Sequence, residues 1–358
     1  MKYRVKDSSS DGRDLRHMSR SSNVVWNHCN AAQIHALRHN QKWPTEKDLQ
    51  DSTRGSGKLL GISSQTVQAI CEEYAARRRQ FKKSKLRFRG RKSLGWVPFK
   101  GQTFVFDGAT NSVVYCGRIF KLWKHRDLPD GAKIKCGSFS EDARGRWYCN
   151  VSVEYERTAQ RTNEAVGIDL GLKHTATLST GEAIDNTRLF ARYEIELGAA
   201  QRANKSRRAQ AINAKIANSR KDFLHKETTK IVNRFGFIAV GNVSGKWLQA
   251  TNGKSSADAA TGMTRSFLRY KAIARGAILA DVSEYLSTQT CSDCDAVGGP
   301  KGTQGLEIRE WKCSHCGSIH DRDVNAAKNI LRVGLDTLFE GAPLKVKAVR
   351  SSSLQGGE

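Results

Sequence analysis

The chain has 358 residues, enough to bury a sizeable core in two or three domains, and carries 60 Lys plus Arg against 35 Asp plus Glu, a net +25. An excess that large points to a polyanionic partner, because each phosphate neutralised releases condensed counterions, and without a signal peptide, basic anchor or long apolar run it argues against a membrane role. Nine cysteines, four in two Cys-x-x-Cys pairs and five (Cys29, Cys71, Cys116, Cys136, Cys149) scattered in apolar contexts, speak for a reducing cytoplasm and against a disulfide framework.

Residues 1–14 are short and polar, with room for one edge strand. From about Ser21 to His39 the pattern becomes helical, with Val25, Trp26, Cys29, Ala32 and Leu37 as its apolar stripe. Pro44-Thr45-Glu46 reads as a helix start, and Ser63-Ser64 opens another helix through Val67, Ile70 and Tyr74. That helix runs into residues 77–92, where ten of sixteen positions are Lys or Arg: Arg77, Arg78, Arg79, Lys82, Lys83, Lys85, Arg87 and Arg89 lead the tract. No acidic residue interleaves, so a merely solvated face would repel itself, and phosphate binding is the better reading. Phe81 and Phe88 are spaced to stack on bases or sugars. Short alternating runs from Trp96 to about Tyr155 predict a small β-barrel or curled sheet, with Trp123 and Trp147 as core aromatics.

Val166–Leu170 is a buried strand with one carboxylate, Asp169, and His174–Leu178 returns as a second strand. A carboxylate in an apolar strand asks for a cation or a partner; capping the turn at Gly171 is the alternative. Residues 190–232 predict a basic helical hairpin, including Arg207 and Arg208, suited to lie along nucleic acid. The next strand, within 235–244, ends at Gly241 and Asn242 with no carboxylate. A Gly/Ser/Ala-rich loop at 251–262 has the composition of a lid. A helix then leads to DVSEYLSTQT, a predicted strand holding Asp281 and Glu284. CSDC, eighteen residues, and CSHC follow, and two such pairs form a four-thiolate zinc site from Cys291, Cys294, Cys313 and Cys316, with His315 and His320 close by. Asp321 and Asp323 stand at the start of the last helix, where carboxylates also simply favour the helix dipole. Ala326 and Ala327 in that helix suit close packing on a sheet.

GIDLGLKHTATLSTG, the CSDC…CSHC ribbon and DRDVNAAKNIL together resemble the TnpB proteins of bacterial insertion sequences, relatives of the compact type V CRISPR effectors. The resemblance spans nearly the whole chain. It implies an α/β RNase H-like (RuvC) nuclease domain, residues 163–287 and 319–335, with an inserted zinc ribbon, 288–318. It also implies an N-terminal β-barrel (wedge-like), 1–14 and 94–162, carrying a helical basic recognition insertion, 15–93, and a tail, 336–358. The activity implied is Mg²⁺-dependent, RNA-guided cleavage of double-stranded DNA in a prokaryotic cytoplasm, with base pairing to a guide RNA supplying sequence specificity. By position, the family's first-strand aspartate matches Asp169 and its last-helix aspartate matches Asp323. The middle glutamate is missing, its place taken by Gly241. Two readings follow: a nuclease-inactive, RNA-guided DNA-binding protein of repressor type, or a nuclease whose third ligand is supplied by Glu284. Two retained aspartates beside a spare glutamate favour the second, with Asp169, Glu284 and Asp323 as magnesium ligands.

Overall fold

The computed structural model describes residues 1–6, 9–81, 86–123, 127–156, 162–242, 260–301, 305 and 307–339. They fall into two units, Met1–Glu156 and Arg157–Glu358.

In the first unit, β1 (Lys2–Val5) pairs with β5 (Arg118–Trp123) on one side and β7 (Trp147–Glu154) on the other. It is an interior strand, not the edge strand its polar sequence suggests: Tyr3 and Val5 are fully buried, and four residues are too few to show that both backbone edges are taken. β2 (Trp96–Lys100), β3 (Phe104–Asp107), β4 (Ser112–Tyr115) and β6 (Lys133–Glu141) complete an antiparallel sheet of order β2-β6-β7-β1-β5-β4-β3. Only Gly101–Thr103 separates the two end strands, β2 and β3, and Phe99 stacks on Phe104 at 4.4 Å. The sheet therefore curls until its ends meet, as a barrel requires. Trp147 lies in the core, but Trp123 is 58% exposed, with the Lys6 ammonium 4.9 Å from its ring.

The helices of this unit are α1 (Ser9–Arg38), α2 (Glu46–Ser52), α3 (Ser56–Leu60) and α4 (Ser64–Gln80). Thr45 closes a capping box with Asp48, and the Ser63 hydroxyl caps α4. α1 starts twelve residues before Ser21, so the boundary expected at residue 15 falls inside it. Its buried stripe begins at Leu15 and Met18 and continues through Ser22, whose hydroxyl is satisfied by the Met18 carbonyl at 2.9 Å. A buried serine paired to its own helix looks polar in sequence and hides the period. Helices and strands share one core, in which Trp26 packs edge-on against both Tyr74 and Trp96.

In the second unit, β8 (Ala165–Asp169), β9 (His174–Leu178), β10 (Ala183–Asp185), β11 (Phe237–Gly241) and β12 (Ile278–Val282) form a sheet of order β10-β9-β8-β11-β12. The first three strands are antiparallel, while β8, β11 and β12 run parallel. α5 (Leu189–Arg202) and α6 (Ser206–Arg234) form the expected hairpin, closed by Leu197, Ala200, Ile212 and Ile216. α7 (Thr261–Arg275) precedes β12. β13 (Glu310–Lys312) and β14 (Ile319–Asp321) pair as a hairpin before α8 (Arg322–Phe339). α8 crosses β8 so closely that a Cβ on Gly167 would overlap the Ala327 carbonyl and come within 2.7 Å of Leu331 N. The small residues on both sides, with Ala326 and Ala327 fully buried, make that approach possible. α8 runs through residues 336–339, which were expected to belong to the tail. The lid-like loop falls, apart from its last residues, outside the described residues.

Candidate metal centres

The four cysteines sit on two matching turns. Asp295 N donates to Cys291 O at 3.0 Å, and Gly317 N donates to Cys313 O at 3.0 Å. Asp295 and Gly317 hold corresponding left-handed conformations, φ 64° and 77°, just after each pair. The four sulfur atoms all lie within 4.8 Å of one another, with Cys291–Cys316 at 3.6 Å and Cys294–Cys313 at 3.7 Å. The Ser318 hydroxyl and amide draw the Cys316 thiol down to about 6, and the backbone amides of Cys316 and His315 lower that of Cys313. Such N–H and O–H bonds favour thiolates, the ligand form. His320 Nε2 stands 3.0 Å from Cys291 Sγ and its ring packs on Trp311, beside the cluster. These residues form a group that can hold a metal ion, as the spacing predicts.

A second constellation lies at the C-terminal ends of the parallel strands, where open α/β sheets commonly place their sites. Asp169 ends β8, Gly241 ends β11, and Asp323 is the second residue of α8. Glu284 lies two residues beyond β12 rather than on it. Its side chain folds back over Gly241: a Cβ at position 241 would overlap Glu284 Oε1 and come within 2.5 Å of its Cγ and Cδ. Glu284 thus fills the space that a side chain at 241 would need. The Asp169 carboxyl is pushed up to about 8, first by burial and then by the negative charges of Glu284 and Asp323, against the pull of Arg322. Three acidic groups at the strand ends, one of them holding a proton through burial and the charge of the other two, could serve as a donor set for a divalent cation. They stand further apart than the cysteines: among the described residues, only the four sulfurs bring three or more such ligand atoms within 4.8 Å of one another. Arg309 pairs with Asp323 at 3.2 Å.

The neighbouring acids have other partners. Asp281 is ion-paired with Arg269 and with Arg265, which also donates to the Gly241 carbonyl at 2.5 Å. Asp321 accepts from Val324 N at 2.8 Å and caps α8. One feature of the last helix was not legible from sequence. Asn325 and Asn329, 1% and 3% exposed, both donate to the carbonyls of Ser287 and Thr290, and Asn325 Oδ1 accepts from Ser292 N at 2.9 Å.

Comparison with known proteins identifies the family. Residues 262–330 match the family model "Cas12f1-like, TNB domain", and residues 148–248 match the OrfB_IS605 model, described as "Probable transposase". A Streptomyces pristinaespiralis protein named "Putative RNA-guided DNA endonuclease" is 31% identical over 311 residues, 82% of this chain and 75% of its own. This chain belongs to the TnpB family. An Escherichia coli (strain K12) protein of the same description, with the suffix InsQ, is 29% identical over 238 residues, 56% of this chain and 58% of its own. The protein chain in the cryo-EM structure of a Cas12f1–sgRNA–target DNA complex shares the fold, with a TM-score of 0.60 at 12% identity over 90% of this chain and 83% of that one. The TnpB-family chain is thus built as a compact type V effector. Among its described residues no helix is long and apolar enough to cross a membrane.

The basic tract divides on inspection. Arg78 is 7% exposed, bonded to Gln33 and to the Pro44 carbonyl at 2.8 Å, with Trp43 beneath it, so it is a structural cation. Arg89 is likewise committed, to Asn23 Oδ1 and Leu94 O at 2.7 Å each. Each fixes two of its five N–H donors within the fold, and Arg78, almost wholly buried, is withdrawn from the phosphate contact expected of it, while Arg89 is half-buried. Arg77 pairs with Glu73 and Arg208 with Glu196, whereas Arg79, Arg87 and Arg207 are exposed. Lys82, Lys83 and Lys85 lie outside the described residues.

Proposed function

We propose that this chain is an RNA-guided DNA endonuclease whose nuclease centre consists of Asp169, Glu284 and Asp323. Its family and the names of its relatives support the activity. The observation that carries the site is the Glu284 side chain seated over Gly241, where the family's middle glutamate would project. The β10-β9-β8-β11-β12 sheet, three antiparallel strands followed by two parallel to the third, supports the reading of an RNase H-like (RuvC) domain, and the four-cysteine cluster supports that of a zinc ribbon inserted over 288–318. Zinc suits the cysteines because four thiolates at 2.3 Å from a tetrahedral ion stand about 3.8 Å apart, close to the 3.6 and 3.7 Å here.

Mg²⁺, the ion suited to carboxylates and waters, would supply charge to the scissile phosphate and activate a water molecule for phosphodiester hydrolysis. Asp169, Glu284 and Asp323 would hold it, and Asp169 must first lose the proton that burial and then its acidic neighbours retain up to about pH 8. A guide RNA and target double-stranded DNA are the partners. Exposed Arg79, Arg87 and Arg207 would contact phosphates, together with Lys82, Lys83 and Lys85. A prokaryotic cytoplasm fits nine unpaired thiols.

The test is cleavage of target DNA by protein purified with its co-expressed RNA, in Mg²⁺, beside Asp169→Ala and Glu284→Ala. The proposal expects cutting by the wild type and a loss of about a thousandfold or more in both variants. Guided binding without cutting would make the chain a nuclease-inactive binder. Normal cutting by Glu284→Ala would remove Glu284 from the site.

A further inference from the structure

We infer that Asn325 and Asn329 are positioning residues that hold Glu284 over Gly241, tying the carboxylate centre to the four-cysteine cluster. The inference rests on the proposed role of Glu284 and concerns what keeps that side chain in place.

Glu284 belongs to no regular element. Its strand has ended at Val282, and the chain must turn before it reaches Cys291. Ser287 N donates to Glu284 O at 3.1 Å, closing a tight turn, and Leu286 sits at φ 57°. A left-handed leucine is disfavoured and persists only where surroundings fix it. The surroundings here are two buried amides on α8. Asn329 Nδ2 bonds Ser287 O at 2.8 Å and Thr290 O at 2.7 Å; Asn325 Nδ2 bonds the same two carbonyls at 3.3 and 2.8 Å. At four residues' spacing the two side chains lie one above the other on one helix face, which is why they can share both acceptors. The helix they stand on also carries Asp323, and its close approach at Gly167 sets it against β8, which carries Asp169.

The clamp continues to the cysteines. Asn325 Oδ1 takes the amide of Ser292, between Cys291 and Asp293. The 284–292 segment is thus tied to α8 at Ser287, Thr290 and Ser292 and carries Cys291 of the cluster near its far end. Each asparagine alone supplies two of the four bonds to Ser287 and Thr290, so single substitutions leave half the clamp and keep the helix seated on the sheet.

The test compares Asn329→Ala in two backgrounds: the natural one, and Gly241→Glu/Glu284→Ala, in which the carboxylate projects from β11 and needs no turn to hold it. Asn329→Ala is expected to lower the single-turnover cleavage rate about tenfold or more in the natural background and less than about threefold in the other. Zinc content and guided DNA affinity should stay within about twofold of wild type, as a loosened carboxylate alone requires. A second readout needs no cleavage: the Mn²⁺ concentration that gives half the maximal rise in melting temperature should increase about fivefold or more in Asn329→Ala. Equal rate losses in the two backgrounds, or an unchanged Mn²⁺ midpoint, would overturn the inference. If Glu284→Ala cuts normally, the ligand assignment fails; if it is inactive while Asn329→Ala cuts and binds Mn²⁺ like wild type, only the clamp fails.

Discussion

At the scale of single residues, Gly241 and Glu284 are complementary, since one leaves the room the other occupies. Gly241→Ala should displace the Glu284 carboxylate and slow cleavage by about tenfold or more, with zinc content retained; an unaltered rate would mean that the placement of Glu284 is immaterial. Asp169 shows what the centre costs the fold. Its pKa near 8, raised by burial and then by Glu284 and Asp323, lies well above that of the unfolded chain. Between about pH 4 and pH 8 the folded state therefore holds a proton that the unfolded state has released, and this contribution to stability falls as pH rises. Without divalent cation, Asp169→Asn should stabilise the protein at pH 8 by about 1–3 kcal/mol, with little gain at pH 4. Mg²⁺ should reverse that order by stabilising the wild type alone. Thermal melts at the two pH values, with and without Mg²⁺, check both statements, and a destabilised Asp169→Asn at pH 8 would refute them.

At the scale of elements, buried and half-buried amides recur as fasteners for irregular chain. In the first unit Asn30 exchanges two bonds with the backbone of Leu86, at 2.8 and 3.1 Å, and Asn27 exchanges two with that of Arg89, at 2.9 and 2.8 Å. Trp26 Nε1 adds a bond to Arg87 O at 3.1 Å. The segment is held against α1 with Arg87 and Phe88 outward, Phe88 being 56% exposed. Arg87→Ala should weaken RNA binding and reduce the slope of log affinity against log salt by about one. Arg78→Ala should leave that slope unchanged and cost about 2–4 kcal/mol of stability, because its partners become unsatisfied in a buried place. Binding measured across salt concentrations, with denaturant melts, separates the two; equal slopes for Arg87→Ala and wild type would contradict the assignment. The sequence revealed the tract but not this division. Charge density is local, whereas Gln33, Pro44 and Asn23 reach the arginines through the fold. The same limit hid α1's true start and the asparagine clamp on α8, whose members stood in the DRDVNAAKNIL run with nothing in it to name their partners. The four-cysteine cluster was legible because its chemistry is carried by short spacing, whereas Asp169 stood out only as a carboxylate in an apolar strand and Asp323 took its proposed role from the family resemblance. Glu284 was put forward only through the resemblance, as a spare glutamate where the family's middle glutamate is missing at Gly241.

At the scale of the whole molecule, the four-cysteine cluster proposed to hold a structural metal and the carboxylates proposed to hold a catalytic one are linked through the last helix. Chelation of zinc should therefore abolish cleavage even after Mg²⁺ is restored, and returning zinc should recover it; cleavage that survives zinc removal would separate the two centres. The excess of 60 basic over 35 acidic residues fits a protein that works wrapped in nucleic acid. The most direct test of the central claim is a crystal or cryo-EM structure of the RNA- and DNA-bound protein with Mn²⁺ in place of Mg²⁺. The account predicts metal density in contact with the carboxylates of Asp169, Glu284 and Asp323 together. Metal held by Asp169 and Asp323 with Glu284 turned away, or no metal between them, would contradict it.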